Sequence, residues 1–151
     1  MANSQAMASS FKSEILAGIH ALGTTVVRAG TGADTIKAAL YLVSASKGAA
    51  STTYDTTGEV TGTNYVAGGV TVTNATPPST SGTTGIWTPS ASIVYTNVTL
   101  AAAFDAVMLY NSTQGDKTIS VHTFGSQTVT AGTFTLTMPT NDASNALIRI
   151  A

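Results

Sequence analysis

The sequence has no cysteine and few charged residues, and each shortage excludes a class of structure. Without cysteine, neither disulfide bonds nor thiolate metal sites hold the fold together. Charged residues make up 9% of the 151 residues, against roughly 25% in typical soluble domains. The basic residues are scattered and form no stripe, so we expect no nucleic-acid partner.

Long apolar runs are also missing. No stretch approaches the roughly 20 residues that a transmembrane helix needs, so we expect a soluble protein without a membrane partner. The N-terminal residues lack the basic region and uninterrupted apolar core of a secretion signal. We therefore expect no export by that route.

The sequence is instead rich in threonine, serine, glycine and alanine. This composition predicts a neutral, hydroxyl-rich surface, and the many β-branched threonines favour strands over helices. The formal net charge is −1. Such a small net charge gives weak self-repulsion and favours association.

The strongest structural pattern lies in residues 106–124. Two apolar runs there are separated by a cluster of turn-forming residues, which predicts a β-hairpin. In the first run, 106–110, both faces are apolar, so we expect a strand that is buried on both sides. In the second run Ile119 and Val121 alternate with polar residues, which predicts a half-exposed strand.

One helix is predicted near the N-terminus. Its apolar face has spacings of four, four and three and consists of Phe11, Ile15, Ile19 and Leu22. A serine at position 9 or 10 can cap the start, and Gly23 can end the helix. The helix either covers one end of the protein's own core or reaches onto a neighbouring subunit.

The rest of the chain reads as about eight to ten short strands, punctuated by glycine, proline and asparagine. They include strands at 24–28 and 34–44. The pattern predicts an all-β fold, an antiparallel β-sandwich of jelly-roll or Greek-key type with one short N-terminal helix. We assign residues 1–22 to an N-terminal arm and helix and residues 23–151 to the sandwich domain.

No arrangement of residues points to catalysis. His20 and His122 lie far apart, the carboxylates are isolated, and no nucleophile or metalloprotease motif is present. Asn141 and Asp142 could hold calcium, but turn formation explains them better. Trp87 and the tyrosines could form a sugar-binding platform, although packing is the favoured role. We predict no enzyme, no cofactor and no metal.

Five segments carry a resemblance to a known family: FKSEILAGIHAL, DTIKAALYLVSAS, TTYDTTGEVTGTNYVAGGVTVTN, AFDAVMLYNSTQGDKTISVHTFGSQTVTAGTFTLTMP and ALIRIA. Across residues 11–151 the chain resembles small structural proteins encoded in the virion gene clusters of tailed bacteriophages. The most specific pieces are 54–69 and 106–125. Members of this family are similar to jelly-roll capsid cement, or decoration, proteins.

The resemblance implies a homotrimer that binds the major capsid protein on the capsid exterior of the virion and stabilises the head, after synthesis in the host cytoplasm. It supplies no catalytic residues. The candidate interface residues are Phe11, Ile15, Ile19 and Trp87. Two alternatives stay open: a tail, neck or baseplate component, and a carbohydrate-binding module for host adsorption that uses Trp87 and the tyrosines.

Overall fold

The computed structural model describes residues 2–16, 18–23 and 32–151. In chain order its elements are β1 (Ala6–Met7), α1 (Ser9–Leu16), β2 (Ile36–Leu42), β3 (Val70–Thr71), β4 (Ser79–Ser81), β5 (Thr84–Trp87), β6 (Ile93–Asn111), a 3₁₀ turn (Ser112–Gln114), β7 (Lys117–Leu136) and β8 (Ile148–Ile150). The strand predicted at 24–28 lies outside the described residues. None of the helices in the described ranges is long and apolar enough to span a membrane.

The strands form two sheets. The larger has the order β1-β7-β6-β2-β3 and the smaller the order β4-β5-β8. Every pairing between these strands is antiparallel. One apolar cluster joins the two sheets, with Trp87 and Ile148 from the smaller sheet and Leu40 from the larger. The predicted all-β antiparallel sandwich with one short N-terminal helix is confirmed.

The hairpin predicted at 106–124 is present but is much longer than expected. β6 has 19 residues and β7 has 20. The side chain of Asn111 accepts hydrogen bonds from two backbone N–H groups of the 3₁₀ turn, and Gly115 closes the turn with φ of 68°. The prediction of separate short strands was wrong here, because shifts of register bend the two long strands without interrupting their pairing.

β6 is buried on both faces at its turn end, as predicted. Val107 and Leu109 belong to the apolar cluster between the sheets. Ala106, Met108 and Tyr110 belong to a second cluster on the opposite face, which includes Ala45 and Tyr54 from the loop after β2. The larger sheet is therefore covered by the smaller sheet on one side and by a loop on the other.

The prediction of a half-exposed second run was wrong. Residues from Thr118 to Val121 are buried on both faces of β7. The register with β6 shifts at Ile119, so that Ile119 joins the cluster between the sheets and Val121 joins the opposite one. β1 also pairs with Ser120 and Val121, so the strand edge is covered at this point.

The helix is shorter than predicted, because it ends before Gly18 and does not continue to Gly23. Gly18 adopts φ of 68°, and its N–H donates to the carbonyl oxygen of Ile15 at 2.9 Å. The N–H of Ile19 donates to the carbonyl of Glu14 at 2.9 Å. These bonds satisfy the last helical carbonyls in the manner of a glycine-capped helix end.

Two glycines with similar backbones allow a direct test of the packing between β2 and β3. Gly69 has φ of 69° and Gly82 has φ of 63°. A Cβ atom at Gly69 would overlap the carbonyl oxygen of Ala38, whereas one at Gly82 would meet nothing within 4 Å. We expect Gly82→Ala to cost about 1 kcal/mol from its positive φ alone and Gly69→Ala to cost several times more. Urea denaturation measures both, and equal losses would contradict the close approach.

Candidate functional site

Glu59 is a buried carboxylate with three hydrogen-bond donors around it. It is 7% exposed and lies in the loop that covers the larger sheet. Its carboxylate accepts hydrogen bonds from the hydroxyls of Tyr54 and Tyr65, both at 2.7 Å, and from the N–H of Gly68 at 2.8 Å. Three donors compensate the burial of this charge-bearing group.

The hydroxyls of the other three tyrosines also donate to the protein itself. Tyr41 donates to the carbonyl of Asp55 at 2.6 Å, Tyr95 to that of Ala38 at 2.8 Å, and Tyr110 to that of Gly68 at 2.8 Å. Burial raises the pKa of all five tyrosines, that of Tyr110 to about 12. These groups therefore act as neutral hydrogen-bond donors. Tyr41 and Tyr110 fasten the loop to the sheet, whereas Tyr95 joins two strands of the sheet.

The aromatic side chains do not form an exposed platform. Trp87 is 1% exposed and its indole N–H donates to the carbonyl of Thr76 at 3.1 Å. Tyr54 stacks on buried Tyr110 with 4.6 Å between ring centroids. The Trp87 ring is thus almost fully covered, and the carbohydrate-binding alternative stays a prediction.

A second polar network joins α1 to the hairpin turn. His20 Nε2 lies 2.7 Å from Glu14 Oε2, and His20 Nδ1 lies 3.1 Å from the side-chain nitrogen of Asn111. That nitrogen also donates to Asp34 Oδ2 at 2.8 Å, and Lys117 Nζ donates to Glu14 Oε1 at 2.9 Å. The contacts from Asn111 and Lys117 hold the N-terminal segment against the start of β7.

The orientation of the Asn111 amide fixes the role of each His20 nitrogen. Asn111 Oδ1 accepts from the N–H groups of Thr113 and Gln114, so its NH₂ group faces His20 Nδ1. Nδ1 therefore accepts and Nε2 donates to Glu14. Burial opposes ionisation of Glu14, but the hydrogen bonds from Lys117 and His20 lower its pKa. His20 thus has a positioning role that the sequence did not signal, because its partner is 91 residues away.

His122 lies beside a serine but without a carboxylate partner among the described residues. Its Nε2 is 2.9 Å from Ser120 Oγ, and burial lowers the pKa of His122 to about 4. Ser120 is 1% exposed. A nucleophile and base need a group that orients the base and a path for the substrate. The Ser120–His122 pair has no orienting carboxylate in the described part of the chain, and its serine is buried.

Two further carboxylates, Asp142 of the possible calcium site and Asp55, serve local roles. Asp142 accepts hydrogen bonds from Thr140, Ser144 and Asn145, and those bonds lower its pKa to about 2. Asp55 pairs with Lys47 at 2.7 Å. Across residues 2–16, 18–23 and 32–151, no group of three or more His, Cys, Asp or Glu side chains could hold a metal ion.

Three of the four candidate interface residues lie close together in the structure. Phe11, Ile15 and Trp87 line one apolar groove of about 180 Å³ between α1 and the smaller sheet, whereas Ile19 does not line it. Phe11 and Trp87 are 0% and 1% exposed, so they form the floor of the groove. Ile15 and Ile19 are half-buried. Their role in an interface stays a prediction.

Comparison with known proteins assigns no function to these residues. No known protein family, curated protein or solved structure matches the chain. The polar networks around Glu59 and His20 tie loops and the N-terminal segment to the larger sheet. The hydrogen bonds of these networks hold the loop and the N-terminal segment in one conformation.

The Glu59 network predicts a large difference between two substitutions. Glu59→Ala leaves the N–H of Gly68 and two tyrosine hydroxyls without their acceptor, and we expect a loss of about 3 kcal/mol in the free energy of unfolding. Glu59→Gln keeps one acceptor oxygen and the side-chain volume, so its loss is expected to be less than half as large. Chemical denaturation measures both. Ordinary surface substitutions change the free energy of unfolding by about 0.5 kcal/mol or less. Losses this small for both variants would contradict a stabilising role of the network.

The pKa of His122 predicts a pH dependence of stability. The unfolded imidazole has a pKa near 6.5 and the folded one a pKa of about 4, so the unfolded state binds the proton more tightly. Stability is fully present above the unfolded value and falls as the pH drops from 6.5 towards 4, by at most about 1.4 kcal/mol per pH unit. We expect His122→Gln to flatten the unfolding free energy measured from pH 6.5 to 4.5. An unchanged slope would exclude His122 as its source.

Proposed function

We propose that this protein is a capsid cement protein of a tailed bacteriophage. It binds as a homotrimer to the outer surface of the major capsid protein shell and stabilises the head. The resemblance of residues 11–151 to small phage virion proteins supports this assignment, and the all-β sandwich agrees with it. The protein does no bond-breaking chemistry in this role.

The observation that carries the proposal is the division of polar groups between interior and surface. The carboxylates of Glu14, Asp34 and Glu59 are each less than 10% exposed. Glu14 and Asp34 bind the hairpin of the larger sheet, and Glu59 binds other residues of the loop after β2. The exposed positions are dominated by threonine, serine and alanine. A rigid body with a weakly charged surface is suited to contacts with large neighbouring surfaces.

The apolar surface residues agree with such contacts. Val66 is 73% exposed, Val94 is 41% exposed and Ile150 is 46% exposed. Low charge reduces the desolvation cost of bringing two protein surfaces together. Because a shell repeats the same contact many times, a weak individual contact is sufficient to reinforce it.

Virion composition and head stability test the proposal. We expect quantitative mass spectrometry of purified particles to find this chain at a copy number comparable to the major capsid protein. We also expect particles that lack it to release DNA at a lower temperature, because the bonds between shell subunits are no longer reinforced. Purified protein added back to those particles is expected to restore heat resistance.

A low copy number and density confined to the tail, neck or baseplate in an electron cryomicroscopy map would reject the cement role and favour the alternative tail component. An unchanged release temperature in particles without the protein would also reject it. The Glu59→Gln variant serves as the control in the add-back experiment, since the side chain at position 59 is buried and its change leaves the surface intact.

A further inference from the structure

Among the described residues, the last part of β7 forms a sheet edge that no further strand covers. β1 pairs with β7 at Ser120 and Val121, and beyond that point no other strand in the described ranges covers its outer side. Unpaired N–H and C=O groups on such an edge can pair with a strand of another chain. Proteins usually prevent this with charged residues or proline. Residues 118–138 contain neither.

The free edge is regular near its end. Register shifts bend the hairpin between Tyr95 and Ala106 on β6, but Ile93, Val94 and Tyr95 pair in unbroken order with the last three residues of β7. A bulge would turn an edge away from a partner. The regular end of β7 leaves its outer hydrogen-bonding groups in the arrangement that an added strand requires.

The sequence of this end is symmetric in polarity about its centre. Residues 133–137 read Thr-Phe-Thr-Leu-Thr. Thr133, Thr135 and Thr137 are exposed, whereas Phe134 and Leu136 are half-buried at the rim of the apolar cluster. In an antiparallel pair centred on Thr135, every threonine faces a threonine and Phe134 faces the partner's Leu136.

We propose that residues 133–137 bind the same residues of a second copy of this chain, as an antiparallel strand pair about a two-fold axis at Thr135. The partner is a second copy because the polarity pattern matches itself in the reversed direction. The absence of charge also removes like-charge repulsion between identical edges. The contact adds main-chain hydrogen bonds and covers Phe134 and Leu136.

This contact goes beyond the proposed trimer. A two-fold contact joins two identical surfaces and cannot by itself close a three-membered ring. It therefore links one trimer to another, as between adjacent positions on a shell, or joins two single chains. Its test is independent of the capsid role, which the composition and heat release of virions decide.

The proposed two-fold axis places residue 135 of one copy beside residue 135 of the other, so a charge at this position faces the same charge. We expect sedimentation over a concentration series to show that Thr135→Lys and Thr135→Glu each reduce the mass of the wild-type assembly by a factor of two or more. An equimolar mixture of the two variants is expected to restore the wild-type mass, because a lysine then faces a glutamate. Thr96→Lys, at an exposed position on β6, is the matched control and is expected to keep the wild-type mass.

Each other outcome overturns the proposal. Wild-type protein that shows no mass above that of its Thr135→Lys variant has no such contact. Variants that dissociate but do not reassociate when mixed place residue 135 away from a two-fold axis. Variants that sediment as wild type but fail to bind shells assign the edge to the capsid protein. Matching circular dichroism spectra of the variants and the wild type establish that the fold is retained.

Discussion

The hydrogen bonds to the Glu59 carboxylate are the constraint that shapes the loop covering one face of the larger sheet. The loop after β2 has few strand pairings of its own, yet it must cover the face that carries Met108 and Tyr110. Glu59 accepts from two tyrosines and one backbone N–H, and a buried carboxylate without those donors would favour solvent. Tyr54 and Tyr65 also pack against the apolar clusters of the larger sheet. The hydrogen bonds that fold the loop therefore also hold apolar side chains against the sheet.

Several charged residues meet around the hairpin turn, whereas two long stretches of the chain carry no charge. Around the hairpin turn, Glu14, Asp34 and Lys117 bind the N-terminal segment and the turn to each other. Away from the turn, residues 60–104 and 118–141 contain no Asp, Glu, Lys or Arg. Ionic and charge-assisted contacts thus stabilise the region around the turn, while the two uncharged stretches present hydroxyl and methyl groups at their exposed positions.

This division links the fold to the proposed role. A cement protein needs a body that does not deform under load and a surface that meets other protein surfaces without strong charge. The internal networks provide the first property, since removing one partner leaves others buried without a bond. The uncharged sheet edge provides the second, and strand pairing between identical edges would extend the sheet across a subunit boundary.

The sequence by itself determined the strand content, the hairpin and the two apolar faces of β6, because alternation with a period of two follows directly from strand geometry. It misplaced the end of the helix, since local spacing does not show that Gly18 adopts a positive φ, and it misjudged β7 because a shifted register changes which face a residue occupies. Only the tertiary structure decided the partners of Glu59 and His20 and the burial of Trp87. His20 has a partner 91 residues away. The partners of Glu59 lie within nine residues of it, but an irregular loop brings them together, and no periodic pattern encodes such a loop.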